Sequence, residues 1–203
     1  MPSLQQHQLR VAAVAKLICE NFTNHIDSKS IITACLLHDM GNILKSDLTL
    51  FPDFLKPEGL EYWQVVKEEF REKYGDDEHW ASMLISKELG VKQKVLDLID
   101  GIGFENIEKH FSAKDLENMI CEYADCRVAP HGVVSLDERL TDLEERYGFR
   151  YPDSDHKNMR QKFYDLARRS ETYIFKNLII KPKDISAEAL NDTIPELRLF
   201  EIS

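Results

Sequence analysis

An all-α, multi-helix single domain is the fold class this sequence predicts, and three observations predict it. Apolar residues recur at steps of three and four through most of the chain, the spacing that lines one face of a helix. Stretches of strict period-two alternation, the mark of half-buried strands, are few and short. Helix-starting side chains stand ahead of the apolar runs, at Asp27-Ser28, Asp76-Asp77, Ser112 with Asp115, and Ser135 with Glu138. A chain of 203 residues, 43% of them hydrophobic, can bury one sizeable core, and no internal repeat or low-complexity segment divides it.

Each element follows from its pattern. Leu4, Val11, Val14 and Ile18 predict a first helix over residues 4–21, with His7 on the same face. Asp27 and Ser28 cap a second, in which Ile31, Ala34, Cys35 and His38 share a face and which Gly41 is expected to stop. The segment KSDLTLFPDFLKPEG, with two prolines and a glycine, reads as a connection, and Pro57 suits the first turn of a helix over residues 58–74. That helix carries Trp63, Val66 and Phe70 as its apolar stripe, and the charges of KEEFREK read as a solvated face. Gly75 breaks the pattern, His79 opens the next helix, and Met83, Ser86 and Leu89 follow before Gly90 ends it. Residues 91–102 give a short apolar helix closing in a GIG turn, which lacks the third glycine and the preceding strand of a nucleotide fingerprint. Ser112 is expected to start a helix through residue 128 in which Leu116, Met119, Ile120 and Tyr123 pack and Asp125 sits near the end. Ser135 starts LDERLTDLEERYG, a long amphipathic helix follows over residues 155–178 and is ended by Pro182, and residues 186–200 form a terminal helix.

Composition excludes several function classes. Cys19, Cys35, Cys121 and Cys126 sit inside apolar helical patterns with no close CxxC pair, so they read as reduced core thiols. A net charge of −10 argues against an extended nucleic-acid surface while leaving room for a small phosphorylated ligand held by local cations or a metal. No window reaches the ~18 apolar residues of a membrane span, and MPSLQQHQLR lacks a signal-peptide layout, so a cytoplasmic protein without membrane contact is expected.

The chemistry concentrates in IITACLLHDMGN, where an apolar helix ends on His38 and Asp39. An imidazole and a carboxylate at the mouth of a buried helix suit a divalent metal. Alone, the pair equally suits a helix end, with His38 facing the dipole and Asp39 capping a turn. Context separates the two. His7 in QQHQLRVAAVAKLI, the pair in ACLLHDMGNI and Asp125 in CEYADCRVAPHGVVSLDERL follow one another in an order that resembles the HD-domain superfamily of metal-dependent phosphohydrolases, over roughly residues 4–140.

The resemblance implies an all-α HD-type bundle, with residues 1–150 as the metal-binding helical part and residues 151–203 as helices packed on the same domain. It implies His7, His38, Asp39 and Asp125 as metal ligands. Such a nitrogen and oxygen set suits Mn, Fe, Co, Ni or Zn, one ion per chain, and differs from the all-oxygen shell of calcium. Asp39 is then also the group that orients water or takes its proton, and His79 the phosphate contact, proton donor or partial second ligand. A second metal is disfavoured, because VLDLIDGIGFENIEKHF offers no second extra histidine; His110 lies late for it and Asp100 is a conjectural substitute. Asn42 replaces the lysine of an HDxGK motif. Arg10, Lys45 and Arg127 are the cations available for phosphate. The implied activity is hydrolysis of a small phosphate ester or nucleotide. The alternative is a regulatory module that binds metal or nucleotide with little turnover.

Overall fold

The computed structural model describes residues 1–23, 25–50, 52–150, 153–176 and 178–202. The helices in chain order are α1 Pro2–Glu20, α2 Ser28–Leu37, α3 Leu60–Tyr74, α4 Glu78–Glu88, α5 Gln93–Gly101 and α6 Ile107–Ala113. They continue as α7 Leu116–Asp125, α8 Leu136–Tyr147, α9 Ser154–Phe175, α10 Ala187–Leu190 and α11 Thr193–Leu197. Between α7 and α8 the strands β1 Val128–Ala129 and β2 Gly132–Val133 form a minimal antiparallel hairpin, with His131 exposed at its tip. The architecture is all-α, and among the described residues no helix is long and apolar enough to cross a membrane.

The core is built on α2, whose Ile31, Ala34 and Cys35 are wholly enclosed by α1, α5 and α7. Small side chains make this close approach possible: Ala12, Ala13 and Ala15 of α1 are completely buried, and α1 packs chiefly on α2 and also on α7. α9 lies across α6 and α7, and α10 and α11 pack on α1. A smaller cluster of Ile43, Leu44 and Ala81 receives Trp63, Val66 and Phe70, which is how the stripe of α3 docks although α3 has no fully buried residue. All four cysteines are free and buried; burial pushes the thiols of Cys19 and Cys126 up, and the neighbouring Cys35 thiol, together with burial, does the same for Cys121, away from reactive thiolate.

Caps explain most boundaries. Asp27 accepts from Ser30 N, Asp77 from Trp80 N, and Ser135 with Glu138 forms a reciprocal capping box. Gly90, at φ +75°, ends α4 in the left-handed region. Elsewhere the structure corrects the pattern. α3 begins at Leu60 because Gly59, at φ +86°, is its N-cap, which leaves Pro57 in the preceding turn rather than in the helix. Ser112 does not start a helix: it lies inside α6, Lys114 at φ +55° breaks the chain, and Asp115 caps α7 by accepting from Asn118 N. The long helix ends at Phe175, before Pro182, which opens a short 3-10 turn instead. The expected terminal helix is two short ones, α10 and α11. Pro195 accounts for the break, since it cannot donate to the Asn191 carbonyl one turn back and its ring would strike that carbonyl in a continuous helix. The boundary expected between residues 150 and 151 borders residues 151 and 152, which lie outside the described ones.

Candidate metal centre

Three mutually packed helices bring the predicted site residues together. His7 is in the second turn of α1, His38 and Asp39 follow directly on α2, and Asp125 is the last residue of α7. The N-terminal part of α1 therefore meets the C-terminal ends of α2 and α7. Helix C-termini carry partial negative charge from their unpaired carbonyls, so two of them and two carboxylates meet at one place.

Donor atoms of His7, His38 and Asp39 lie within 4.8 Å of one another. His7 Nε2 is 3.4 Å from Asp39 Oδ2 and 3.1 Å from Asp125 Oδ1. His38 Nε2 is 3.6 Å from each of the same two oxygens. The two imidazoles thus share the two carboxylates, with ring centroids 5.6 Å apart. Burial alone would lower the basicity of His38, yet Asp39 and Asp125 outweigh it and raise its pKa to about 9. Burial would raise the Asp125 carboxyl, and here His38 and His7 prevail and hold it well below the usual carboxylate range.

His38 itself tests whether a metal fits. Its Nδ1 is 3.0 Å from the Cys35 carbonyl, an arrangement that fixes the ring and points Nε2 inward. The Nε2 atom is buried and has no hydrogen-bond partner among the described residues. A buried nitrogen without a hydrogen bond, facing two carboxylates and a second imidazole, is the donor set that a divalent transition ion takes.

The HD turn is held from behind. Gly41 N donates to Ser82 Oγ of α4 at 2.9 Å, and a Cβ on Gly41 would lie 2.2 Å from the Glu78 carbonyl oxygen. α2 ends at Leu37 with His38 as its cap, three residues ahead of Gly41, so Gly41 is not its stop; α4 passes too close for any side chain. The Cys35 carbonyl and Ser82 were not singled out by the sequence, although the three-residue step from Cys35 to His38 is visible in it.

The other candidates divide. Arg10 is one turn beyond His7, partly exposed, and makes no hydrogen bond or ion pair among the described residues. Lys45 is exposed and 3.5 Å from Glu78 Oε1. His79 stands outside the ligand cluster, with Nε2 3.1 Å from Asp100 Oδ1 and 43% of its side chain exposed. Arg127, expected among the substrate cations, is turned into the fold instead. Only 2% exposed, it donates to the carbonyls of Val134, Pro182 and Ile185 and to the Tyr123 hydroxyl, so its guanidinium is held inside the fold by four hydrogen bonds. His110 is buried 3.8 Å from Glu122 Oε2 rather than at the centre.

A family model described as HD domain matches residues 4–129, a span that contains all four clustered residues. No curated protein and no solved structure matches the chain.

Proposed function

The chain belongs to the HD-domain family, and from that membership and the geometry of its centre we propose a metal-dependent phosphohydrolase that acts on a small phosphate ester, nucleotides among them. The observation that carries the reading is His38, tied at Nδ1 and, among the described residues, without a hydrogen-bond partner at its buried Nε2. His7, His38, Asp39 and Asp125 would hold one ion of Mn, Fe, Co, Ni or Zn. Such an ion supplies water of lowered pKa and neutralises charge on phosphate.

The chain's own groups do the rest. Asp39 orients the attacking water and takes its proton. Arg10, unpaired and one turn from His7, holds a phosphate oxygen. Lys45 joins it by leaving Glu78, an exposed pair at 3.5 Å that costs little to open. His79 faces the leaving group as acid, its ring held by the Asp100 carboxylate 3.1 Å from Nε2. With Arg127 withdrawn into the fold, few cations remain for phosphate. That observation favours the second reading, a module that binds metal and ligand with little turnover.

Elemental analysis of the purified protein and of Asp39→Ala tests the centre first. One metal per chain, absent in the variant, is the expected result. A screen of phosphomonoesters, nucleotides and phosphodiesters with Mn, Co, Ni and Mg then reads turnover, which His38→Ala should abolish. Metal without turnover on any ester selects the regulatory reading; neither metal nor turnover removes both.

A further inference from the structure

His7 and Gln8 are successive on α1, so their side chains leave the helix about 100° apart. On the Gln8 side the fold leaves a pocket of about 500 Å³, bounded by α1, the turn after α2, α3 and the end of α11. This size is ordinary for a small-molecule site, as is the lining, where Leu9, Met40, Trp63 and Phe70 supply a mostly apolar wall. The pocket does not share the ligand atoms of the metal centre.

Two polar groups on this wall are unusual. Gln8 is only 6% exposed, and its buried Nε2 has no hydrogen-bond partner among the described residues. An unpaired buried amide donor is destabilising in a way that a leucine or methionine filling the same space would not be. Arg198, the C-cap of α11, also lines the pocket, is exposed, and has no ion pair or hydrogen bond among the described residues. Both groups are donors, and one of them is a full positive charge in a chain of net charge −10.

A buried amide, an exposed guanidinium and aromatic and aliphatic walls line the same pocket, and together they match one chemistry. We propose that this pocket binds a hydrophobic monocarboxylate, its apolar body against Met40, Trp63 and Phe70 and its carboxylate on Gln8 and Arg198. Charge-assisted bonds to the carboxylate satisfy the Gln8 amide and pair the arginine. The site stands independently of the phosphohydrolase reading.

Decanoate is the probe, with decanol as its uncharged counterpart. In a Trp80→Phe background the remaining tryptophan, Trp63, is a pocket wall, so its fluorescence reports occupancy directly. The expected result is a saturable change with decanoate, at least tenfold weaker with decanol, and weakened about tenfold by Arg198→Gln. Arg198 is exposed, so that variant keeps the fold. Gln8→Leu should weaken decanoate while leaving the melting temperature unchanged or higher, because it removes an unpaired polar group; a glutamine needed for packing alone would lower it. The proposal is overturned if decanoate does not saturate, if decanol binds as tightly, or if neither variant changes binding.

Discussion

At Gly41 one missing methyl group determines how two helices meet. A Cβ there would lie 2.2 Å from the Glu78 carbonyl oxygen and 2.8 Å from Ala81 Cβ, distances that only movement of α4 could relieve. Gly41→Ala should therefore destabilise the protein by roughly 2–4 kcal/mol, in the range of overpacked cores, and weaken metal retention by shifting Asp39 two residues away. Denaturant titration and elemental analysis measure both effects; a variant of native stability would mean that α4 yields freely. From the sequence the glycine reads as a helix stop, because a stop and a close approach leave the same letter. His38 and Asp39 are legible in LLHDMG, whereas Asp125 has no local signature, being 86 positions beyond Asp39 and recognisable only once the family order is seen. Glu122 gives a second residue-scale prediction. It is 5% exposed, and burial pushes its carboxyl above the ordinary 4.5, with His110 opposing. The folded state thus holds a proton that the unfolded state releases, so this residue's contribution to stability is fully present below about pH 4.5 and declines as pH rises through the raised folded value. Glu122→Gln should flatten the fall in melting temperature as pH rises above 4.5, and parallel curves for variant and wild type would sink the idea.

Among elements, those announced by local chemistry were readable and those set by tertiary contact were not. The caps Asp27, Asp77 and Ser135 act through residues three positions on, and each begins the helix it was expected to begin. By contrast the break between α6 and α7 rests on Lys114 in a left-handed conformation, which no helix-stopping residue announces. Arg127 belongs to this scale. It joins the end of α7, the segment after the hairpin and the turn at residues 182–185 through four acceptors, and that role is invisible in a sequence where it stands two residues past Asp125. Arg127→Leu leaves buried carbonyls without donors, so a loss of roughly 3–5 kcal/mol is expected. Arg127→Lys should rescue little, since one ammonium cannot reproduce the planar fork. Unfolding midpoints with metal content of the folded fraction decide it: one ion per chain in a less stable protein supports the structural role, while native stability with weakened substrate binding would return Arg127 to the site.

At the scale of the molecule, the site lies wholly in the first part of the chain while the core that stabilises it extends into the last. His7, His38, Asp39 and Asp125 all precede residue 130, as does the whole of the family match. The core does not stop there. Leu166 and Ile174 of α9, Ile185, and Leu190 and Leu197 beyond it are buried in the same hydrophobic cluster as α1, α2 and α7. Burying five such side chains at about 1.5–3 kcal/mol each gives on the order of 10 kcal/mol, as large as the net stability of an ordinary domain. Residues 1–150 should therefore fail to fold alone although they carry every proposed ligand, because α6 and α7 would expose the faces that α9 covers and α1 those that α10 and α11 cover. The expected behaviour is loss of a cooperative thermal transition and of metal retention together, read by calorimetry and elemental analysis on the shortened and full chains. A shortened chain that melts cooperatively within a few degrees of the full one and keeps its metal would separate the C-terminal helices from the domain. Co-purification of residues 151–203 with residues 1–150, restoring both the transition and the metal, would confirm that the two pieces share one core.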